Sequence, residues 1–152
     1  MDKVIIMTKT IRIDIPGRPQ GKARPRFRKI GNYITTYNTK QTKTYEELVA
    51  KCALEQCKDE LDKEYIGRTR VQIKAIFKPN KGISKKKEKE LIEKPFLKKP
   101  DFDNIAKIIC DSLNGIAYKD DNVIYEAIVT KVYGFEDKVI VLIEYCDKDE
   151  FE

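Results

Sequence analysis

Alternation of apolar and polar residues runs through several short stretches of the chain and predicts β-strands. It is clearest in Lys9–Ile15, where every second residue from Ile11 is isoleucine, and it recurs in Arg70–Phe77. Three further strand-like runs are Tyr33–Tyr37, Val123–Tyr133 and Lys138–Tyr145. Gly134–Asp137 separates the last two, so the pattern also predicts that they pair as a β-hairpin.

Helical spacing and capping residues predict three helices, over residues 44–61, 84–94 and 104–113. A capping box of Thr44 and Glu47 starts the first helix. Ser84 caps the second, which is short and basic and has to end before Pro95. Asp103 is the expected cap of the third helix, whose apolar residues line one side of it.

The predicted elements follow one another in the order β, β, α, β, α, α, β, β. Strands and helices do not alternate regularly, so a doubly wound parallel fold is excluded. We expect an α+β fold with a mixed or antiparallel sheet of about four to five strands and helices packed on it. The length suits a single domain over residues 1–152.

Positive charge is concentrated near the start of the chain. The net charge of +6 comes from 31 Lys+Arg and 25 Asp+Glu, and Pro16–Lys29 alone has six cations and no acid. Pro and Gly favour a loop there, and its arginines favour a polyanion such as nucleic acid, with Phe27 and Tyr33 placed to stack on bases. Lys85–Lys89 is also basic, but its interleaved Glu favours a plain solvated surface.

Several classes of chemistry are excluded by what the sequence lacks. There is no histidine, which removes Ser–His and Cys–His nucleophiles and His-dependent zinc sites. The four cysteines form no CxxC pair, and no Gly-rich phosphate loop is present. No apolar run approaches the roughly 20 residues of a membrane helix, and no signal-peptide pattern is seen. We therefore expect a cytoplasmic protein with reduced thiols, without membrane association or nucleotide cofactor.

The most informative segment is residues 98–122, KKPDFDNIAKIICDSLNGIAYKDDN. Pro100 favours extended backbone before it, and in an extended stretch Asp101 and Asp103 would face the same side. The polar face of the helix that follows carries Asn104, Lys107 and Asp111. Acidic side chains and one lysine are thus expected to meet at the start of this helix.

A turn at residues 119–122 offers a further carboxylate, from Asp120 or Asp121. Three neighbouring carboxylates stay ionised together only if a divalent cation joins them, and oxygen ligands favour Mg²⁺ or Mn²⁺. Simpler interpretations stay open at this point. Asp103 can be only a helix cap, the acidic turn only a turn, and Lys107 with Asp111 only a surface ion pair.

The same segment resembles the signature of the RusA-type Holliday junction resolvases, which are small endodeoxyribonucleases. That signature is D-x-D-N, a lysine one helical turn later, an LNG-like stretch and a D-D pair before a strand. The matching residues are Asp101, Asp103, Asn104, Lys107, Leu113-Asn114-Gly115 and Asp120-Asp121. The run PGRPQGKARPRF is similar to the basic opening of the family after its first strand.

The resemblance implies that Asp101, Asp103 and Asp121 are the catalytic, metal-binding carboxylates, with Lys107 as the catalytic lysine and Asp120 as the alternative third carboxylate. It implies Mg²⁺, with Mn²⁺ as a substitute, and a homodimer that resolves four-way DNA junctions by paired symmetric nicks in recombination or repair. Members of the family are often encoded by phages or prophages. The residues expected to bind DNA phosphates are Arg18, Lys22, Arg24, Arg26, Arg28, Lys98 and Lys99.

Two other functions are carried as alternatives. The first is a non-catalytic basic protein that binds or shapes DNA, which would be indifferent to divalent metal. The second is a general metal-dependent nuclease that acts on flaps or other branched DNA. The acidic set argues against the first alternative, because carboxylates beside a DNA surface weaken binding unless a cation occupies them.

Overall fold

The structure, a computed structural model, describes residues 7–61 and 68–146. Its elements in chain order are β1 Met7–Pro16, β2 Arg26–Ile30, β3 Tyr33–Tyr37, α1 Lys40–Gln56, β4 Thr69–Phe77, α2 Lys85–Leu91, α3 Phe102–Ser112, β5 Ile124–Tyr133 and β6 Lys138–Cys146. A 3-10 turn, Asp121–Val123, leads into β5. The predicted α+β single domain is confirmed.

Four strands form a mixed sheet in the order β1-β6-β4-β5, which confirms the predicted sheet type. β6 is antiparallel to both β1 and β4, whereas β4 and β5 are parallel. The predicted hairpin of the last two strands is wrong, because β4 lies between them. The sequence of β6, KVIVLIEYC, is apolar almost throughout, which favours a central position in the sheet, while β5 takes the edge.

The hydrophobic core lies on one face of this sheet, under α1 and α3. Ile13 and Ile15 of β1 are completely buried there, as are Ile105, Ile108 and Ile109 of α3. Each such side chain contributes about 1.5–3 kcal/mol by leaving water. The apolar side of α3 therefore fixes its orientation, and the opposite side of this helix is left for polar residues.

The first helix begins one turn earlier than the capping box predicts. Thr39 is the N-cap, and its hydroxyl oxygen accepts a hydrogen bond from the Thr42 backbone N at 3.2 Å. Thr44 lies inside the helix and donates to the Lys40 carbonyl. The earlier start brings the buried Thr42 into the helix. None of the helices in the described part of the chain has the length and apolarity needed to cross a bilayer.

β2 and β3 form a separate antiparallel hairpin in which every residue is exposed. The strand at Tyr33–Tyr37 is confirmed, but the loop expected over Pro16–Lys29 is wrong from Arg26 onward. Gly31, with a φ of +59°, closes the tight turn that allows the two strands to pair. The hairpin presents aromatic and cationic side chains on a surface that nothing else in the described chain covers.

Candidate functional site

An open groove runs between α3 and the edge strand β5. One part has a volume of about 580 Å³ and is lined by Asp103, Lys107 and Asp121 among others. The adjoining part, of about 630 Å³, is lined by Asp101 and Asp103. The two parts share Phe102, so the structure places all four residues of the predicted catalytic set along one continuous groove.

The start of α3 places the first two carboxylates in the groove. The predicted cap Asp103 is wrong, since Asp101 is the N-cap and Asp103 lies in the first helical turn. The extended Asp101–Asp103 pair is therefore also wrong, although both residues still line the same part of the groove. The Asp101 carboxylate makes no capping hydrogen bond. Both acids instead sit at the positive end of the helix dipole, which stabilises negative charge there.

The segment before α3 is fixed to the end of β5, and this positions Asp101. The Phe96 backbone N donates to the Lys131 carbonyl at 3.0 Å, and the Tyr133 N donates to the Lys94 carbonyl at 2.9 Å. The Phe96 ring is buried and stacks on Phe77 with centroids 3.8 Å apart. The chain that leads into the acidic helix start is thus anchored in the core rather than free.

The turn before β5 separates the roles of the two neighbouring aspartates. Asp120 caps the 3-10 turn, because its Oδ1 accepts from the Asp121 backbone N at 2.8 Å. Asp121 is half-buried and lines the groove. Partial burial raises the pKa of the Asp121 carboxyl, and the carboxylates of Asp120 and Asp111 raise it further. This placement favours Asp121 over Asp120 as the third acid of the groove.

We predict that Asp121→Asn stabilises the metal-free protein, because the amide removes a desolvated, repelled charge. The pKa of Asp121 is higher in the folded protein than in the unfolded chain. Ionisation of this carboxyl therefore destabilises the folded state at pH values above its unfolded pKa. Melting at pH 7 should therefore rise by about 1–4 °C, and the gain should shrink toward pH 4. Differential scanning calorimetry at both pH values measures it, and a lower melting temperature at pH 7 would contradict the prediction.

Lys107 lies one helical turn after Asp103, on the groove side of α3, and is exposed. It makes no ion pair with Asp111, so the simple surface pair considered from the sequence does not form. Asp111 instead contacts the ammonium group of Lys22 at 3.3 Å. Lys107 therefore lines the groove, whereas Asp111 contacts Lys22 of the basic loop and also lies close enough to Asp121 to raise its pKa.

Lys22 has a different environment from the one expected. Its Nζ also lies 2.7 Å from Glu46, and only 12% of its side chain is exposed. Partial burial lowers its pKa, but Glu46 and Asp111 outweigh that effect and the pKa is raised overall. The prediction that Lys22 binds DNA does not fit this placement, because the carboxylates of Glu46 and Asp111 already pair with its ammonium group. We assign it to holding the basic loop against α3.

Gly21 strengthens this attachment of the basic loop. The Lys22 backbone N donates to the Asn104 carbonyl at 2.9 Å, and a Cβ on Gly21 would lie 2.9 Å from the Pro100 Cβ and 3.0 Å from the Asn104 Cβ. We predict that Gly21→Ala costs about 1–3 kcal/mol of stability and slows DNA cleavage, since the loop has to move away from the helix. Urea melts and cleavage rates measure both effects, and unchanged values would show that the close contact is unimportant.

Most of the basic residues predicted to bind DNA are exposed. Arg24, Arg26 and Arg28 are exposed on the loop and hairpin, and Lys98 and Lys99 are exposed just before Asp101. Near Arg28, the hairpin aromatics Phe27 and Tyr33 are 76% and 77% exposed. Arg18 is partly exposed and pairs with Asp137 at 3.2 Å.

Lys131 also lines the groove and was not predicted from the sequence. Its ammonium group donates to the Lys98 carbonyl at 2.6 Å. Lys131 is in register with the buried Ala75 of β4, so it occupies an inward-facing position of β5. The signal in the sequence was a lysine at an inward position of an alternating strand. This signal can be recognised only when the strand pairing is known, because the register decides which face of the strand is inward.

The groove has the oxygen donors of a cation site, but these side chains are too far apart to hold one ion together. Asp101, Asp103 and Asp121 make no ion pair with any described cation within salt-bridge distance. Among the described residues, no three acidic or cysteine side chains are close enough to hold a metal ion together. Hard oxygen ligands suit Mg²⁺ or Mn²⁺. Metal binding by these residues therefore stays a prediction, and it needs their side chains to converge.

Comparison with known proteins agrees with the motif. Residues 16–144 match a family model described as endodeoxyribonuclease RusA. The uncharacterized protein YqaN of Bacillus subtilis (strain 168) is 30% identical over 137 residues, which make up 88% of this chain and 94% of YqaN. The family match covers the basic loop, the groove, β4, β5 and all but the last two residues of β6.

Proposed function

The chain belongs to the RusA endodeoxyribonuclease family, and from this premise we propose that it resolves four-way DNA junctions by Mg²⁺-dependent hydrolysis at the groove between α3 and β5. The observation that supports this most strongly is that Asp101, Asp103, Asp121 and Lys107, from two separate parts of the chain, all line that groove. A plain DNA-binding surface gives no reason for unpaired carboxylates between its cationic flanks.

Asp101, Asp103 and Asp121 are the residues that would hold a divalent cation. When bound, Mg²⁺ or Mn²⁺ would neutralise these carboxylates, favour an activated water and stabilise charge on the phosphate. Their oxygen-only donor set fits such an ion. Burial and the carboxylates of Asp120 and Asp111 raise the pKa of Asp121, and a cation bound beside Asp121 would relieve that repulsion.

The other residues act on the DNA. Hydrolysis adds water across one phosphodiester bond, breaks the P–O3′ bond and leaves a 5′-phosphate and a 3′-hydroxyl. Lys107 lines the same part of the groove as Asp103 and would contact the scissile phosphate and stabilise the negative charge that develops on it. Lys98 and Lys99 adjoin Asp101 and would hold the flanking backbone, while Arg24, Arg26 and Arg28 would hold a neighbouring arm.

A homodimer is part of the proposal. A four-way junction has near twofold symmetry, and its resolution needs two nicks in strands of like polarity. Each chain offers one groove with one set of carboxylates, so two chains related by a twofold axis would supply both cuts. Phage or prophage origin would fit the same role in recombination or repair.

The test uses one set of labelled oligonucleotides assembled as a four-way junction, a fork and a linear duplex. With Mg²⁺ we expect paired nicks at symmetric positions of the four-way junction and much slower cutting of the other two substrates. EDTA should stop cleavage while binding persists. Equal cutting of the fork would favour the general branched-DNA nuclease, and binding without any cleavage in Mg²⁺ or Mn²⁺ would favour the non-catalytic DNA-binding protein.

A further inference from the structure

A second pocket lies next to the groove and shares Phe96 with it. It has a volume of about 260 Å³. We call it the basic pocket, because four of the side chains that line it are the cations Arg18, Lys78, Lys87 and Lys98. No acidic side chain lines it among the described residues.

The four cations come from four different parts of the chain. Arg18 follows β1, Lys78 follows β4, Lys87 lies in α2 and Lys98 precedes α3. Their convergence is thus produced by the fold and not by a single lysine-rich run. It also changes the interpretation of Lys85–Lys89, since one residue of that stretch points into a defined pocket while the sequence favoured a plain solvated surface.

Arg18 is held in position at one side of the basic pocket. Its Nη1 donates to Asp137 Oδ1 at 3.2 Å and to the Lys78 carbonyl at 3.3 Å. Asp137 Oδ1 also accepts from the Lys78 backbone N at 2.8 Å, which ties the two segments together. The Arg18 guanidinium carbon lies 5.2 Å from the centre of the Phe77 ring. Orientation by Asp137 and the ring leaves the remaining N–H groups of Arg18 to bind a ligand.

The charge of the basic pocket is poorly compensated. Asp137 is the one carboxylate paired with any of the four cations in the described chain, and Lys78, Lys87 and Lys98 make no ion pair there. Like charges brought together by several elements repel one another, and an anion removes that repulsion. The volume lies below the roughly 300–1,000 Å³ typical of small-molecule sites, so it suits a phosphate group better than a whole nucleotide.

We propose that the basic pocket binds one backbone phosphate of the DNA, at a distance along the strand from the phosphate that is cut. This inference rests on the proposed function, because it assumes that DNA lies along the neighbouring groove. Lys98 is only three residues before Asp101, so an occupied pocket would fix the strand relative to the carboxylates. Lys78 and Lys87 then act as positioning residues, and the α2 segment has a function.

The experiment compares two double variants by junction binding in EDTA, which separates binding from catalysis. Lys78→Gln with Lys87→Gln removes two cations from the basic pocket. Lys85→Gln with Lys89→Gln removes the same charge from α2 without touching the pocket. We expect the pocket variant to bind the junction about tenfold more weakly than wild type. The slope of log Kd plotted against log salt concentration should fall by about one for this variant. The control variant should stay close to wild type in both measurements. Equal losses in both variants, or no loss in either, would overturn the proposal.

A second measurement locates the phosphate. Ethylation interference on the bound junction should show one symmetric phosphate position that matters for the wild-type protein and for the α2 control but not for the pocket variant. Inorganic phosphate is the probe for a free-anion site. The DNA assignment would be overturned if phosphate raised the melting temperature of the wild-type protein while the pocket variant bound the junction as tightly as wild type. If wild-type protein fails to cleave in Mg²⁺ while this interference pattern appears, the proposed function fails and the phosphate pocket stands.

Discussion

Asp103→Asn is expected to reduce single-turnover cleavage of a four-way junction by at least about 10²–10³-fold, the loss typical of removing one key electrostatic group from an active site. Asp103 lines both parts of the groove and so adjoins Asp101 on one side and Asp121 with Lys107 on the other. The amide keeps the size of the side chain but lacks the charge that a divalent cation requires. Binding in EDTA should be retained or slightly tightened, because one repulsive charge is removed.

Matched variants make this result specific. Asp59→Asn changes an exposed aspartate outside the groove and should leave the rate unchanged. Asp121→Asn should lower the cleavage rate about as much as Asp103→Asn does. Asp120→Asn should retain most activity, because Asp120 caps the turn and does not line the groove. A wild-type rate for Asp103→Asn would remove this residue from the catalytic set, and a larger loss for Asp120 than for Asp121 would reverse their assignment.

Lys107→Gln is the second large effect that we expect. Its exposed ammonium group lines the groove one turn beyond Asp103 and is free of any ion pair with Asp111, which contacts Lys22 instead. Loss of charge stabilisation at the phosphate should lower the cleavage rate constant by about 10²-fold. Junction affinity should change little, because many other cations contribute to it.

The control for Lys107 is Lys119→Gln, an exposed lysine close to the acidic turn. It should leave the cleavage rate constant near the wild-type value. Rates measured at saturating protein separate the chemical step from binding. A Lys107→Gln protein that regains full rate at high protein concentration would show that Lys107 contributes only to DNA binding.

The sequence predicted those parts of the fold that depend on local pattern. Strong alternation identified β1 and β4, and Ser84 was confirmed as the cap of α2. The start of α1 was missed because it depends on the burial of Thr42, and the start of α3 was missed although its first residues are exposed. The position of β6 between β1 and β4 is a long-range pairing, and no local signal in the turn at Gly134–Asp137 distinguishes it from a hairpin.

In the site, as in the fold, local sequence patterns were informative, whereas contacts between distant segments were not predicted. The motif predicted that Asp101, Asp103, Lys107 and Asp121 lie near one another, and all four line one groove, although the extended geometry expected for the first two was wrong. The pairing of Lys22 with Asp111 was not predictable, because it depends on how the loop after β1 lies against α3. The basic pocket was hidden for the same reason, since its cations are far apart in the sequence.

We expect the carboxylates of this groove to hold a divalent cation, and iron-mediated cleavage of the protein tests this most directly. Fe²⁺ can replace Mg²⁺ at an oxygen site, and with ascorbate and peroxide it cleaves the protein backbone near the ion. Applied to the junction-bound protein, this mapping should give cuts around residues 100–107 and again around residues 119–123, and excess Mg²⁺ should suppress both. Cuts confined to other segments, or cuts at these two that persist in excess Mg²⁺ and in Asp103→Asn, would contradict the account.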